Sequence, residues 1–193
     1  MINPAEIART VGYARSGEMP PIGDLASATE VIGFSFGTYF DADGQLSRPG
    51  PVNDEIARCI VSNEVIRDTE MPMTLQEEVA WAVFAQDKTL RGQINVLPTI
   101  KTPGKAFNTH ELIQQSRRGW ATRKVGTLAI VAHPHHIPRA SAQVRKAGFE
   151  VVTLDTRGIG FDENSAQEWT TSAEKWGKKE PLVIGLGAIL GRL

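Results

Sequence analysis

The stretch "VGTLAIVAHPHHIPRASAQVRKAGFEVVTLDT", residues 125–156, decides the fold. Its first part, "VGTLAIVAH" (125–133), is apolar almost throughout. Such a run marks a strand covered on both faces, as in a parallel sheet, rather than one with a wet side. Pro134 and Pro138 end it. "PRASAQVRKAG" (138–148) then reads as a helix. Pro138 suits its first position, and Gly148 the position just past its end, where a positive φ is wanted. "FEVVTLDT" (149–156) is the next strand. Strand, helix and strand in this order make a βαβ unit.

The same alternation runs through the rest of the chain. Residues 4–16 form a short helix with Ile7 and Val11 on one face, and "GEMPPIGD" (17–24) breaks it. "EVIGFSFGTYF" (30–40) is a first strand, and "DADGQLSRPGP" (41–51) a loop with Asp43-Gly44 at its tip. "VNDEIARCIVSNEVI" (52–66) is a helix carrying Ile56, Cys59 and Ile60 on one face. "MPMTLQ" (71–76) and "GQINVLPTI" (92–100) are strands around the helix "EEVAWAVFAQDK" (77–88), whose acidic start and basic end suit the macrodipole. "NTHELIQQSRRGWATRK" (108–124) and "SAQEWTTSAEKWG" (165–177) are further helices, and Trp81, Trp120, Trp169 and Trp176 belong to the core. The expected architecture is a three-layer α/β sandwich with a mostly parallel sheet of about five strands.

At 193 residues the chain is expected to be one domain over 1–193, with a helix and linker over 1–28 and an apolar tail over 181–193. Lys plus Arg number 21 and Asp plus Glu 22, so no global field draws in nucleic acid or an anionic membrane. Cys59 is the lone cysteine, which fits a reducing compartment and reads as a small buried hydrophobe. The N-terminal residues lack the continuous apolar run of a secretory signal. The tail "PLVIGLGAILGRL", about 13 residues, falls short of the roughly 20 needed to span a bilayer. A cytoplasmic protein is expected, with the tail as a docking or subunit contact that makes a homo-oligomer.

Ligands of open parallel sheets bind outside the carboxyl ends of the strands, where helix N-termini offer free N–H groups. Three of these junctions carry unusual chemistry. The first holds Gly33, Ser35, Gly37 and Arg48. Its glycines permit close backbone approach, although they lack the spacing of a dinucleotide fingerprint and equally suit a plain turn. The second is "FNTHEL" (107–112), where Asn108 and Glu111 can form a capping box and Phe107 and Leu112 a hydrophobic staple. His110 and Lys105 are left over, and a cation there opposes the helix dipole unless an anion joins it. The third is "VAHPHHIPRA" (131–140), with Arg139 in the first turn of a helix, suited to a bidentate phosphate or carboxylate. His133, His135 and His136 crowd the same turn. Two of them with a carboxylate could hold zinc, but the ligand set is incomplete, and no metal site is assigned.

Taken together, "NTHE", "VAHPHHIPRA" and "GFEVV" resemble, in order and spacing, motifs of the bacterial YdcF/SanA/ElyC-like family. Asn108, Thr109 and Glu111 match its first motif. Val131, His136, Arg139 and Ala140 match its second, and Gly148 and Val151 its third. The resemblance spans roughly residues 30–156. It implies a Rossmann-like fold with these motifs at one polar pocket. It admits S-adenosylmethionine or a nucleotide as cofactor. Ala132 and His133 stand where the family has Thr and Ser, and Leu112 where it usually has Asn.

The expected ligand is therefore a small nucleotide-like or phosphorylated anion. Gly33, Ser35, Gly37, Arg48, Asn108, Thr109, His133 and Arg139 are its candidate binding residues. His136 and Glu111 are the candidate acid/base pair of a transferase or hydrolase. The competing readings are a non-catalytic ligand sensor and a zinc-dependent hydrolase.

Overall fold

Five parallel strands make the central sheet. The computed structural model describes residues 4–19, 22–102, 105–106 and 108–191. Its elements in chain order are α1 (Pro4–Ser16), β1 (Glu30–Gly33), β2 (Tyr39–Phe40), β3 (Leu46–Arg48), α2 (Pro51–Val61), α3 (Glu64–Asp68), β4 (Met73–Gln76), α4 (Glu77–Gln86), β5 (Ile94–Leu97), β6 (Ile100–Thr102), β7 (Lys105–Ala106), α5 (Thr109–Arg123), β8 (Thr127–Val131), α6 (Ile137–Lys146), β9 (Glu150–Thr153) and α7 (Ala173–Ile189).

The sheet order is β5-β4-β1-β8-β9, with every pairing parallel. The chain builds outward from β1 to one edge, then crosses back and builds to the other. This is the doubly wound, Rossmann-like order, and the expected three-layer α/β sandwich is the fold observed. The order of building reverses between β1 and β8, which makes their carboxyl ends the switch point.

Alternate side chains explain why the two central strands, β1 and β8, are largely apolar. On one face Val31, Met73, Leu75, Ala129 and Val131 pack with Ile56 and Ile60 of α2 and with Val79 and Val83 of α4. On the other face Ile32, Leu128 and Ile130 pack with Ile113 and Trp120 of α5 and Val144 of α6. Successive residues of one strand point to opposite layers, so both sets must be hydrophobic. Glu30 is the exception in β1. It is buried, and its carboxylate takes hydrogen bonds from Trp120 Nε1 (2.9 Å), from Thr74 and from Nε and Nη2 of Arg123, which ties α5 to the sheet.

Several boundaries differ from expectation. The first strand stops at Gly33, because that is where its ladders with Leu75 and Val131 stop. The following loop contains the β2–β3 hairpin, with Gly44 at positive φ in its tip. The helix expected over 52–66 is two helices, because the Asn63 side chain caps the second by accepting from Ile66 N (3.2 Å). The last helix starts at Ala173 rather than 165 and runs through the tail. Its Ile184 packs against Ala14 of α1, with Ile7 and Val11 beside it. Trp169 is outside the core and 39% exposed. Cys59 is half-buried against the core, and burial pushes its thiol up. Among the described residues no helix is long and apolar enough to cross a membrane.

Candidate functional site

The loops that leave the switch point are fixed by side chains from the neighbouring strand and helices. After β1 the chain turns over the sheet as Phe34–Gly37. Gln76 Oε1 accepts from Ser35 N (3.0 Å), and buried Asn53 accepts from Phe36 N (2.9 Å) while donating to Pro49 O (2.7 Å). Apolar Phe34 and Phe36 thus serve as the floor of a loop instead of extending the strand. At the start of α5, Asn108 and Glu111 form the expected capping box, with bonds of 3.0 and 3.1 Å. Its hydrophobic staple falls on Phe107, which lies outside the described residues.

A cleft of about 510 Å³ opens above these carboxyl ends, a volume in the range of small-molecule sites. Ser35, Gln76, Asn108, Thr109, His136 and Arg139 supply its polar wall. Phe36, Phe40, Trp169 and Trp176 supply the aromatic one, and Lys179 and Glu180 of α7 close one side. The C-terminal segment thereby brings residues to the site that its sequence does not advertise.

Three side chains form a chain of contacts along the wall. Arg139 Nη1 donates to Thr109 Oγ1 (2.7 Å), and Thr109 Oγ1 lies 3.1 Å from His136 Nε2. Arg139 Nε donates to Glu180, whose carboxylate is 2% exposed. Burial pushes the Glu180 carboxyl up and the guanidinium pulls it back. Trp176 lies along the Arg139 guanidinium and donates its indole N–H to His135 O (3.2 Å).

Two of the histidines, His133 and His136, are buried. His136 is buried, and desolvation first, then the charge of Arg139, hold its pKa well below the ordinary value. His133 lies stacked on Phe36, ring centroids 3.9 Å apart, with Phe161 at 4.5 Å. Burial lowers it to about 3. His135 Nδ1 meets Ala14 O at 2.9 Å, which fastens α1 to this turn. Among the described residues no group of three His, Cys, Asp or Glu side chains is placed to hold a metal ion.

Of the residues singled out in the sequence, the fold brings Ser35, Asn108, Thr109, His136 and Arg139 to the cleft. Others stand elsewhere. Gly33 lies within β1, where a Cβ would meet Leu75 at 2.7 Å. Gly37 has positive φ and passes close to Ser165. Arg48 stacks over the Tyr39 ring at 4.0 Å. Glu111 keeps its carboxylate in the cap, exposed to solvent, and His133 lies behind Phe36. Gln76, Asn53, Glu180, Lys179 and Glu78 were not anticipated. Glu78 is fully buried at the start of α4, where sequence alone explains it as a dipole-compensating residue.

Fold and cleft together define a doubly wound α/β protein with a ligand-sized cleft at its switch point. No family model, curated protein or solved structure matches the chain.

Proposed function

We propose that the chain binds a small nucleotide-like or phosphorylated anion in this cleft and acts on it by transfer or hydrolysis, in the manner implied by its resemblance to YdcF-like proteins. The observation that carries this reading is the convergence of Arg139, Thr109 and neutral His136 on an aromatic-walled cleft at the switch point. Arg139 retains guanidinium hydrogens beyond those used by Thr109 and Glu180, and a guanidinium presents them in a planar fork suited to an oxyanion. Lys179 adds a second cation on the wall, 4.8 Å from the Trp169 ring. Trp169 and Phe40 offer flat apolar surface for a heterocycle. His136 enters as a neutral imidazole, a hydrogen-bond partner and proton acceptor for the reacting group.

Titration calorimetry with adenosine phosphates, S-adenosylmethionine and sugar phosphates tests the reading. One of these is expected to bind, and Arg139→Met to weaken it by about tenfold to a hundredfold, the usual cost of removing a charge-assisted contact. Equal affinity in the variant sinks the assignment of the anion to Arg139. A non-catalytic sensor is the second reading. It is favoured by the ion pairing of Glu180, the carboxylate on the wall, and by the low basicity of His136. A ligand bound tightly and recovered unchanged after long incubation decides for it.

A further inference from the structure

Two amide side chains in the cleft wall have their direction settled by their own hydrogen bonds. Gln76 is buried at the end of β4, and its Oε1 accepts from Ser35 N at 3.0 Å. Nε2 could not take that bond, because an amide nitrogen only donates. It is therefore the end left over, and it finds no partner among the described residues. Asn108, the N-cap of α5, repeats the arrangement. Its Oδ1 accepts from Glu111 N at 3.0 Å, and its Nδ2 finds no partner among the described residues. Both residues line the cleft. Each spends its acceptor on the main chain and keeps its amide hydrogens for a ligand.

The charged groups of the wall divide in the same way. Arg139 and Lys179 only donate. Glu180 is the one carboxylate among the lining residues, and it is buried and takes the Nε hydrogen of Arg139. Ser35, Gln167 and neutral His136 can serve as donor or acceptor, but none brings a negative charge. Amide and cationic donors thus come to the cleft from the end of β4 (Gln76), the start of α5 (Asn108), the start of α6 (Arg139) and α7 (Lys179). These four groups outnumber the three terminal oxygens of a single phosphoryl group. A positively charged ligand group would meet donors and cations with no free carboxylate, and would leave water unpaired.

We infer that Gln76 and Asn108 are specificity-determining residues, whose amide hydrogens select an ester of diphosphate and reject a ligand that carries an ammonium or sulfonium group. The inference rests on the anion-binding function proposed for the cleft and narrows its substrate class. Two linked phosphoryl groups supply acceptors to donors on separate elements at once, while the organic part of the ester lies against the aromatic wall.

Titration calorimetry of ADP, AMP and S-adenosylmethionine into the full chain at neutral pH tests it. ADP is expected to bind about tenfold more tightly than AMP, and about a hundredfold more tightly than S-adenosylmethionine. Asn108→Ser keeps an oxygen to cap α5, adds no charge and has no amide, so ADP affinity should fall by about tenfold. Asn108→Asp caps as well as Asn does, so its urea midpoint should not fall. It sets a second acceptor where the amide hydrogens were, and should cost ADP affinity about a hundredfold. A residue needed only to cap the helix gives neither loss. Gln76→Glu likewise keeps an acceptor for Ser35 N and should weaken ADP by a similar factor. It adds a carboxyl beside Glu77 and Glu78, and if it does not fold the two Asn108 variants decide. ADP affinity unchanged in Asn108→Ser or in a folded Gln76→Glu, AMP bound as tightly as ADP, or S-adenosylmethionine bound as tightly as ADP overturns the selection, and leaves the assignment of the anion to Arg139 standing. No binding of ADP or AMP by the wild type overturns the selection and counts against the anion site itself.

Discussion

Protonating His133 would place an ion between the rings of Phe36 and Phe161. Its Nδ1 accepts from His135 N (3.3 Å), so its hydrogen sits on Nε2, which finds no close hydrogen-bond partner among the described residues. The folded protein resists a second proton down to about pH 3, whereas the unfolded chain takes one near its ordinary value of 6.5. The sign follows: stability is fully present above pH 6.5 and is lost as pH falls through the window below it. Each such proton contributes a slope of roughly 1.4 kcal/mol per pH unit within its window. His136 adds in the same direction. His133→Phe preserves the stacking volume and removes one proton from the balance. Urea unfolding at pH 7 and pH 5 is expected to show a smaller loss for this variant than for wild type. Equal losses would mean that His133 opens to solvent well before global unfolding.

At the scale of elements, Gly50 shows how a turn holds the β2–β3 hairpin, whose Phe40 lines the cleft. It precedes α2 at φ 78° and ψ 160°, a conformation open to glycine almost alone. A Cβ there would stand 2.5 Å from the Tyr39 ring of the hairpin. Gly50→Ala is expected to cost about 1–3 kcal/mol from backbone strain, with more from displacing Tyr39. A lowered urea midpoint with an unchanged slope checks it. The elements differ in how plainly the sequence announces them. β8 and its βαβ unit were legible because burial on both faces leaves an unbroken apolar run. The capping box was legible because it is local. The end of β1 was not, since Phe34 and Phe36 are as strand-like as Val31 and Ile32. Only the partners' register, which stops at Leu75 and Val131, ends the ladder. Nor was α7, whose Pro181 and glycines argue against a helix until Ile184 finds Ala14. Five of the site residues were readable from strand-end position, while Glu78 and Glu180 were hidden because each sits where an ordinary surface carboxylate would.

Across the whole molecule, α7 leaves Leu182, Leu186, Ile189 and Leu190 between 60% and 81% exposed. No charged residue lies between Pro181 and Gly191, so this row offers nothing for charge complementarity and suits a like apolar surface. Self-association through a two-fold contact is the expected result, by the commonest symmetry of homo-oligomers. Sedimentation equilibrium should give a dimer, and Leu186→Glu a monomer. A monomeric wild type at tens of micromolar leaves the row without that role. The strand order has a further consequence, for the chain during its synthesis. β1 is the first of the five sheet strands to be made, yet it is flanked on both sides only once residues up to Val131 exist. Until then one of its edges is an open template for any other extended chain, and Val31 and Ile32 offer an apolar surface on either side of it. The ribosome must therefore hold the strand at the centre of the finished protein incompletely paired for about a hundred residues of elongation, some 5–20 s at common rates, which makes that interval the moment of greatest exposure to aggregation.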